Sequence, residues 1–165
     1  MKKNARRLAL LSCLTASALL LSWLEFLLPL PIPLPGVKLG LANLAAVYAL
    51  YRLGAREALL VSLARILLTA FLFGSLFSAL YALAGALCAL GVMALLRRAG
   101  PFSVYGVSMG GGAAHNAAQV AVAALVARTE SLFSYLPALL VCGLATGFVV
   151  GLLADRLLRV TATRT

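Results

Sequence analysis

Apolar residues run along this chain in blocks long enough to cross a bilayer, and the polar residues collect between the blocks. A hydrocarbon core of about 30 Å takes roughly 20 helical residues. Six runs approach that length, over 8–28, 39–53, 57–73, 76–96, 104–127 and 137–158. Each break has a local cause. Glu25 and the run Pro29, Pro31, Pro33, Pro35 end the first block, because proline lacks an amide donor and fixes φ. The second block is short and stops at Arg52 and Gly54. Gly74-Ser75 divides the third from the fourth, and Arg97, Arg98, Gly100 and Pro101 close the fourth. The pattern predicts an all-α integral membrane protein, a six-transmembrane-helix bundle forming one membrane domain over 1–165.

Composition strengthens that prediction. The chain is 64% hydrophobic and only 11% charged, against about 45–50% and about 25% for soluble domains. Its mean hydropathy is +1.07. No soluble core of this size hides so much apolar surface, so the lipid bilayer is the first expected partner. The net charge of +10 raises the question of nucleic acid. The basic residues stand singly or in pairs between apolar runs, with no interleaved aromatics, which argues against nucleic acid and for topology. With the N-terminus inside, the inner segments hold eleven basic residues: Lys2, Lys3, Arg6, Arg7, Arg52, Arg56, Arg97, Arg98, Arg156, Arg159 and Arg164. The outer loops hold two, Lys38 and Arg128, and Arg65 lies within the membrane. The positive-inside rule therefore expects a multi-pass protein of the cytoplasmic membrane with both termini cytoplasmic. Ala16-Ser17-Ala18 offers a signal-peptidase pattern, but apolar sequence continues to Trp23, which favours a retained first helix.

Small residues mark how the helices meet. Lipid tails are as apolar as leucine, so helices associate through close van der Waals contact. Gly143, Gly147 and Gly151 form a GxxxGxxxG stripe, and Gly106 and Gly110 repeat the spacing, followed by Gly111 and Gly112. Three glycines in a row, each costing about 1 kcal/mol in a helix, imply a kink, a close crossing or backbone exposed to a ligand. Ala5, Ala9, Cys13 and Ala16 make a small stripe on the first helix that suits either another helix of the bundle or a partner protein. Cys13, Cys88 and Cys142 lie in apolar spans without metal-binding or disulfide spacing, and read as buried small residues.

Ionisable and amide groups inside a membrane are expensive, so they carry the candidate chemistry. Arg65 lies about 12 Å from the inner end of the third span and His115 about 16 Å into the fifth, at 1.5 Å per residue. On those depths Arg65, His115, Asn116 and Gln119 are expected to converge near mid-membrane, with Ser62 and Thr69 on the Arg65 face. Two readings stay open: a ligand or ion site, or internal pairing, with Arg65 against Glu25. Glu25, lying nearer the outer end, is expected as a lid residue or cation contact. Lys38, Gly40 and Asn43 are expected beside the proline-rich loop at the outer mouth. No P-loop, metal set or catalytic constellation is present. Asp155 is the sole aspartate, which leaves no paired-aspartate magnesium site for a diphosphate. The expectation is therefore no enzyme, no metal and no cofactor.

Lys38-Leu39-Gly40-Leu41-Ala42-Asn43, the Glu57-Ala58-Leu59-Leu60 element with Arg65 beyond it, and Gly112-Ala113-Ala114-His115-Asn116-Ala117-Ala118-Gln119 together resemble the Gx transporter family, also labelled heptaprenyl diphosphate synthase component I. The resemblance covers about residues 8–158. It implies a six-helix fold similar to the substrate-binding S components of energy-coupling-factor (ECF) transporters. It also implies a small-molecule ligand entering between the outer loops, and partnership with an ECF coupling subunit and ATPases. Ala5, Ala9 and Cys13 match the positions that dock the coupling subunit in such proteins. The resemblance further offers a non-catalytic membrane partner in prenyl-quinone synthesis or flavin-based extracellular electron transfer. A self-sufficient ion-coupled carrier fits less well, given so few intramembrane carboxylates.

Overall fold

The computed structural model describes residues 2–27 and 40–162. Six α-helices carry the chain: α1 Lys2–Leu27, α2 Asn43–Arg52, α3 Ala55–Leu72, α4 Leu76–Ala99, α5 Val104–Ala127 and α6 Leu136–Ala162. A 3-10 helix, Glu130–Tyr135, joins the last two. Three segments are long and apolar enough to cross a membrane: Asn4–Leu27, Leu76–Ala99 and Glu130–Ala162. The others depart from that standard for visible reasons. α2 has 10 residues, about 15 Å of helix. α3 carries Arg56, Glu57 and Arg65, and α5 carries His115, Asn116 and Gln119.

The helix ends follow local chemistry. Serine side chains start α4 and α5. Ser75 and Ser78 cap each other reciprocally across 3.1 and 2.9 Å, and Ser103 Oγ accepts from the Gly106 amide at 3.3 Å. α2 starts later than the hydropathy predicts. Gly40 turns the chain with φ +72°, a value glycine adopts at little cost, and the Asn43 amide donates back to the Gly40 carbonyl at 2.8 Å. The helix then stops where the amides of Leu53 and Gly54 both donate to the Ala49 carbonyl. The proline run and Lys38, expected at the outer mouth, lie outside the described residues.

α2 is the hub of one half of the bundle. Its residues Ala45 to Leu50 are all buried, so it is covered on every side, chiefly by α1, α3 and α6. α1 presents Leu14, Ala18 and Ser22, spaced four apart, to the interior. The other half is built on α5, which packs closely on α4 and α6. Gly112 and Gly143 meet where α5 and α6 cross, and a side chain on Gly112 would run into the Gly143 carbonyl. One and two turns along, Gly147 lies against Ser108 and Met109, and Gly151 against Tyr105. The GxxxGxxxG stripe thus seats α6 directly on the backbone of α5. Gly110 and Gly111 instead make room for Leu96 and Met93 of α4. The three consecutive glycines let two neighbouring helices approach α5 at one level.

Small residues fill the interior and large ones face outward. Ala45, Ala46, Ala49, Ala58, Ala86, Ala89 and Ala154 are buried, whereas Phe71 and Leu76 are each 87% exposed. A surface so apolar fits lipid and not water. Cys13 and Cys88 belong to that outer surface, which corrects their reading as buried residues. They sit on α1 and α4 faces that no other helix covers.

Candidate functional site

The two ends of the bundle differ in chemistry. At one end polar contacts tie neighbouring helices together. Arg7 of α1 pairs with Glu57 at the start of α3, a carboxylate that is only 5% exposed. Arg97 of α4 donates to the Leu50 carbonyl of α2 and stacks over the Tyr51 ring at 4.9 Å. Arg52 Nη2 donates to the Thr161 carbonyl at 3.3 Å, and Tyr48 donates to the Thr161 hydroxyl at 3.3 Å. Tyr105 donates to Asp155 at 2.8 Å, and the same carboxylate oxygen receives Arg159 Nε at 2.8 Å. The start of α1 and the end of α6 therefore lie at this basic end.

The opposite end is hollow. A cavity of about 430 Å³ lies among α1, α3 and α4, lined by Ser22, Glu25, Phe26, Arg65, Thr69 and Phe73, with Ser75, Ser78 and Ala82 on the α4 side. Ser22 is buried, and its hydroxyl receives Arg65 Nη1 at 3.3 Å. Glu25 shares the cavity, but it is not within ion-pair distance of Arg65. Its Oε1 instead accepts the Leu41 amide at 3.0 Å, just ahead of α2. A carboxylate suits that place, since α2 begins without a side-chain cap and its amides carry partial positive charge. Thr69 Oγ1 is buried with no hydrogen-bond partner among the described residues. Phe26 and Phe73 form a tilted pair with centroids 5.7 Å apart, giving the cavity an apolar rim.

A second cavity, of about 450 Å³, lies between α4, α5 and the 3-10 helix. It is lined by Tyr81, Asn116, Gln119, Val120, Leu132 and Tyr135, and by Ser78 and Ala82 on the side it shares with the first. Asn116 Nδ2 donates to the Leu139 carbonyl at 2.7 Å, which fixes the amide and turns its oxygen elsewhere. Among the described residues no ionisable acid or base lines this cavity apart from the two tyrosines. A third space, much narrower at about 30 Å³, lies at the centre of the bundle beside Gly40, Asn43, Ser62, Ser108 and Thr146. Its size suits one or two waters.

The structure thus separates residues that helical depth alone placed together. Arg65 and Glu25 line one cavity, Asn116 and Gln119 line another, and α4 contributes the boundary. His115 lines neither, because its ring fills the gap left by Gly85 of α4, 2.7–2.8 Å from where a Cβ would stand. Asn43 sits beside the central space rather than at the outer mouth, because α2 begins deep in the bundle. Ala5, Ala9 and Cys13 are exposed on α1. Sequence reasoning passed over Ser22 and Ser78, and took Glu57 only as part of the Glu57-Ala58-Leu59-Leu60 element. Ser22 was legible as the residue one turn beyond Ala18 on the buried stripe, whereas the Arg7–Glu57 pair joins positions too distant in sequence for any spacing rule.

Among the described residues no group of three or more His, Cys, Asp or Glu is placed to hold a metal ion. An all-helical bundle with an apolar outer surface and hollow space at one end fits an integral membrane protein. Residues 14–157 match the family described as heptaprenyl diphosphate synthase component I, and the chain belongs to that family. No curated protein and no solved structure matches it.

Proposed function

We propose that this protein is the membrane-embedded solute-binding subunit of a small-solute uptake transporter, similar to ECF S components and dependent on partner subunits for energy. The observation that carries the reading is Arg65. A guanidinium inside an apolar bundle is costly to maintain. Here it faces a cavity of ligand size with one hydrogen bond to a neutral hydroxyl among the described residues. In this reading all six helices lie in the cytoplasmic membrane. The basic end is cytoplasmic, by the positive-inside rule, and both large cavities open on the outer side. α2 occupies the inner half of the bilayer only. The exposed stripe Ala5, Ala9, Cys13 docks the coupling subunit, and lipid covers the remaining outer surface.

The protein needs no chemistry of its own in this role. Three of its four acidic residues are already engaged: Glu25 by Leu41, Glu57 by Arg7, and Asp155 by Tyr105 and Arg159. The test is to release small molecules from protein purified out of its native membrane and identify them by mass spectrometry. Wild type is expected to carry a molecule that Arg65→Ala lacks while both elute alike on gel filtration. Identical small-molecule content in the two would refute the site.

The family description supports a second reading, a non-catalytic membrane component that assists a prenyl diphosphate synthase. That reading expects a soluble synthase to co-purify with the protein and Arg65→Ala to leave the association intact. The transporter reading expects a coupling subunit and ATPases, with the association weakened by Ala9→Leu on the α1 stripe.

A further inference from the structure

We infer that the two large cavities form one bipartite chamber, and that its ligand is a small anion carrying an uncharged ring. The anionic group sits at Arg65 and the ring lies between Tyr81 and Tyr135. This rests on the solute-binding reading above and adds the class of solute.

Three observations lead there. The cavities adjoin along Ser78 and Ala82, which line both and stand one helical turn apart on α4. Both residues are small. The Ser78 hydroxyl is occupied by the helix cap, accepting the Ser75 amide at 2.9 Å and donating to the Ser75 carbonyl at 2.8 Å, so the boundary makes no polar demand on a ligand crossing it.

The two sides are also chemically unlike. On the α3 side, Arg65 has five donor hydrogens and makes one hydrogen bond among the described residues, to Ser22. Glu25 acts on Arg65 through space but makes no ion pair with it, and its Oε1 accepts the Leu41 amide. That side therefore offers unused cationic donors, which suit a carboxylate or phosphate oxygen. On the α5 side the lining is aromatic and aliphatic, with the amide of Gln119 and the phenols of Tyr81 and Tyr135 as its polar points. Such a surface takes a flat, uncharged body.

Each simpler ligand leaves part of the chamber in the wrong environment. A purely polar anion fills the Arg65 side and leaves the aromatic side empty. A purely apolar molecule fills the aromatic side and leaves the guanidinium with Ser22 as its one hydrogen-bond partner among the described residues. An anion with a ring meets both sides at once, and sides of about 430 and 450 Å³ accommodate a head group and a ring system respectively.

The test uses purified full-length protein in detergent and 2-naphthoate as the probe, with 2-naphthalenemethanol and acetate as its two halves. Binding is read by isothermal titration with each compound. The expected result is one naphthoate per chain, bound at least about tenfold more tightly than either half. Arg65→Gln is expected to weaken naphthoate roughly 10- to 100-fold, the effect of losing a charged hydrogen-bond partner, and to leave naphthalenemethanol unchanged. Gln119→Leu and Ala82→Leu are expected to weaken naphthoate as well, the second by closing the boundary. If Ala82→Leu does not fold, Gln119→Leu alone decides. Naphthoate binding lost in Arg65→Gln and unaffected by Gln119→Leu would overturn the bipartite chamber while leaving the Arg65 site standing. Binding unaffected by Arg65→Gln would overturn both. Two naphthoates per chain, no naphthoate binding at millimolar concentration, or complete displacement by phosphatidylglycerol micelles would each overturn the proposed ligand class, the last by assigning the chamber to a lipid headgroup.

Discussion

A methyl group placed on Gly143 tests whether the α5–α6 crossing holds the bundle together. The new Cβ would stand 2.6 Å from the Gly112 carbonyl oxygen, 2.8 Å from its carbon and 3.0 Å from Ala113 Cα. All three are backbone atoms, so no side chain can swing aside. Ordinary contact begins near 3.4 Å, and the helices must therefore separate by about 0.8 Å at the crossing. A gap of 0.5–1 Å forfeits about a quarter to a half of the dispersion energy of the contacts it opens. Those contacts include the Gly147 and Gly151 levels, where backbone touches backbone. Overpacking of this kind costs about 1–3 kcal/mol. For a chain of this length each kcal/mol moves Tm by about 2–4 °C, so Gly143→Ala is expected to lower Tm by roughly 2–12 °C in detergent.

Gly91→Ala provides the matched control. It adds the same methyl to a helix, and nothing lies within 4 Å of it. Both substitutions gain up to about 1 kcal/mol of helix propensity, so the difference between the two variants isolates the crossing. Gly91→Ala is expected to melt at or slightly above the wild-type temperature. Equal Tm values for Gly143→Ala and Gly91→Ala would show that α5 and α6 are not in backbone contact.

Arg7→Ala is expected to strip the buried Glu57 carboxylate of its partner and cost about 1–2 kcal/mol. This lies below the value for a fully buried pair because Arg7 is half-exposed, and adding Glu57→Gln should restore part of the loss. Faster hydrogen exchange in the first turns of α1, reversed in the double variant, is the readout; unchanged exchange would show the pair to be idle. The proposed orientation is checked with single cysteines in a Cys-free background. A membrane-impermeant maleimide on intact cells is expected to label Ser131→Cys and to miss Arg98→Cys, and the reverse pattern would place the hollow end in the cytoplasm.

Much of the packing is legible from residue spacing. Gly143, Gly147 and Gly151 announce a close-packed face, because nothing but another backbone fits such a stripe. The limits of helix α2 are less visible: hydropathy over 39–53 registers apolar residues but not the turn at Gly40 that delays the helix, nor burial on every side. The candidate site shows the same boundary. A rise of 1.5 Å per residue gives the depth of Arg65 and His115, and similar depth suggests a meeting. Whether two side chains meet also depends on which helix stands between them. Here α4 intervenes, its Gly85 accepts the His115 ring, and its Ser78–Ala82 edge divides Arg65 from Asn116 and Gln119.

The two ends of the bundle are held together unequally. At the basic end, pairs between α1 and α3, α2 and α4, α2 and α6, and α5 and α6 fix the helices to one another. At the hollow end the side-chain contacts between segments are fewer among the described residues: Arg65 to Ser22, Glu25 to Leu41, and Asn116 to Leu139. Each of those engages a residue that lines a cavity. Glu25 matters most in this arrangement. By holding the Leu41 amide it secures the start of α2 against α1, and it lines the Arg65 cavity without forming an ion pair there. The same hydrogen bond thus ties the start of the half-length helix to the wall of the cavity that Arg65 lines.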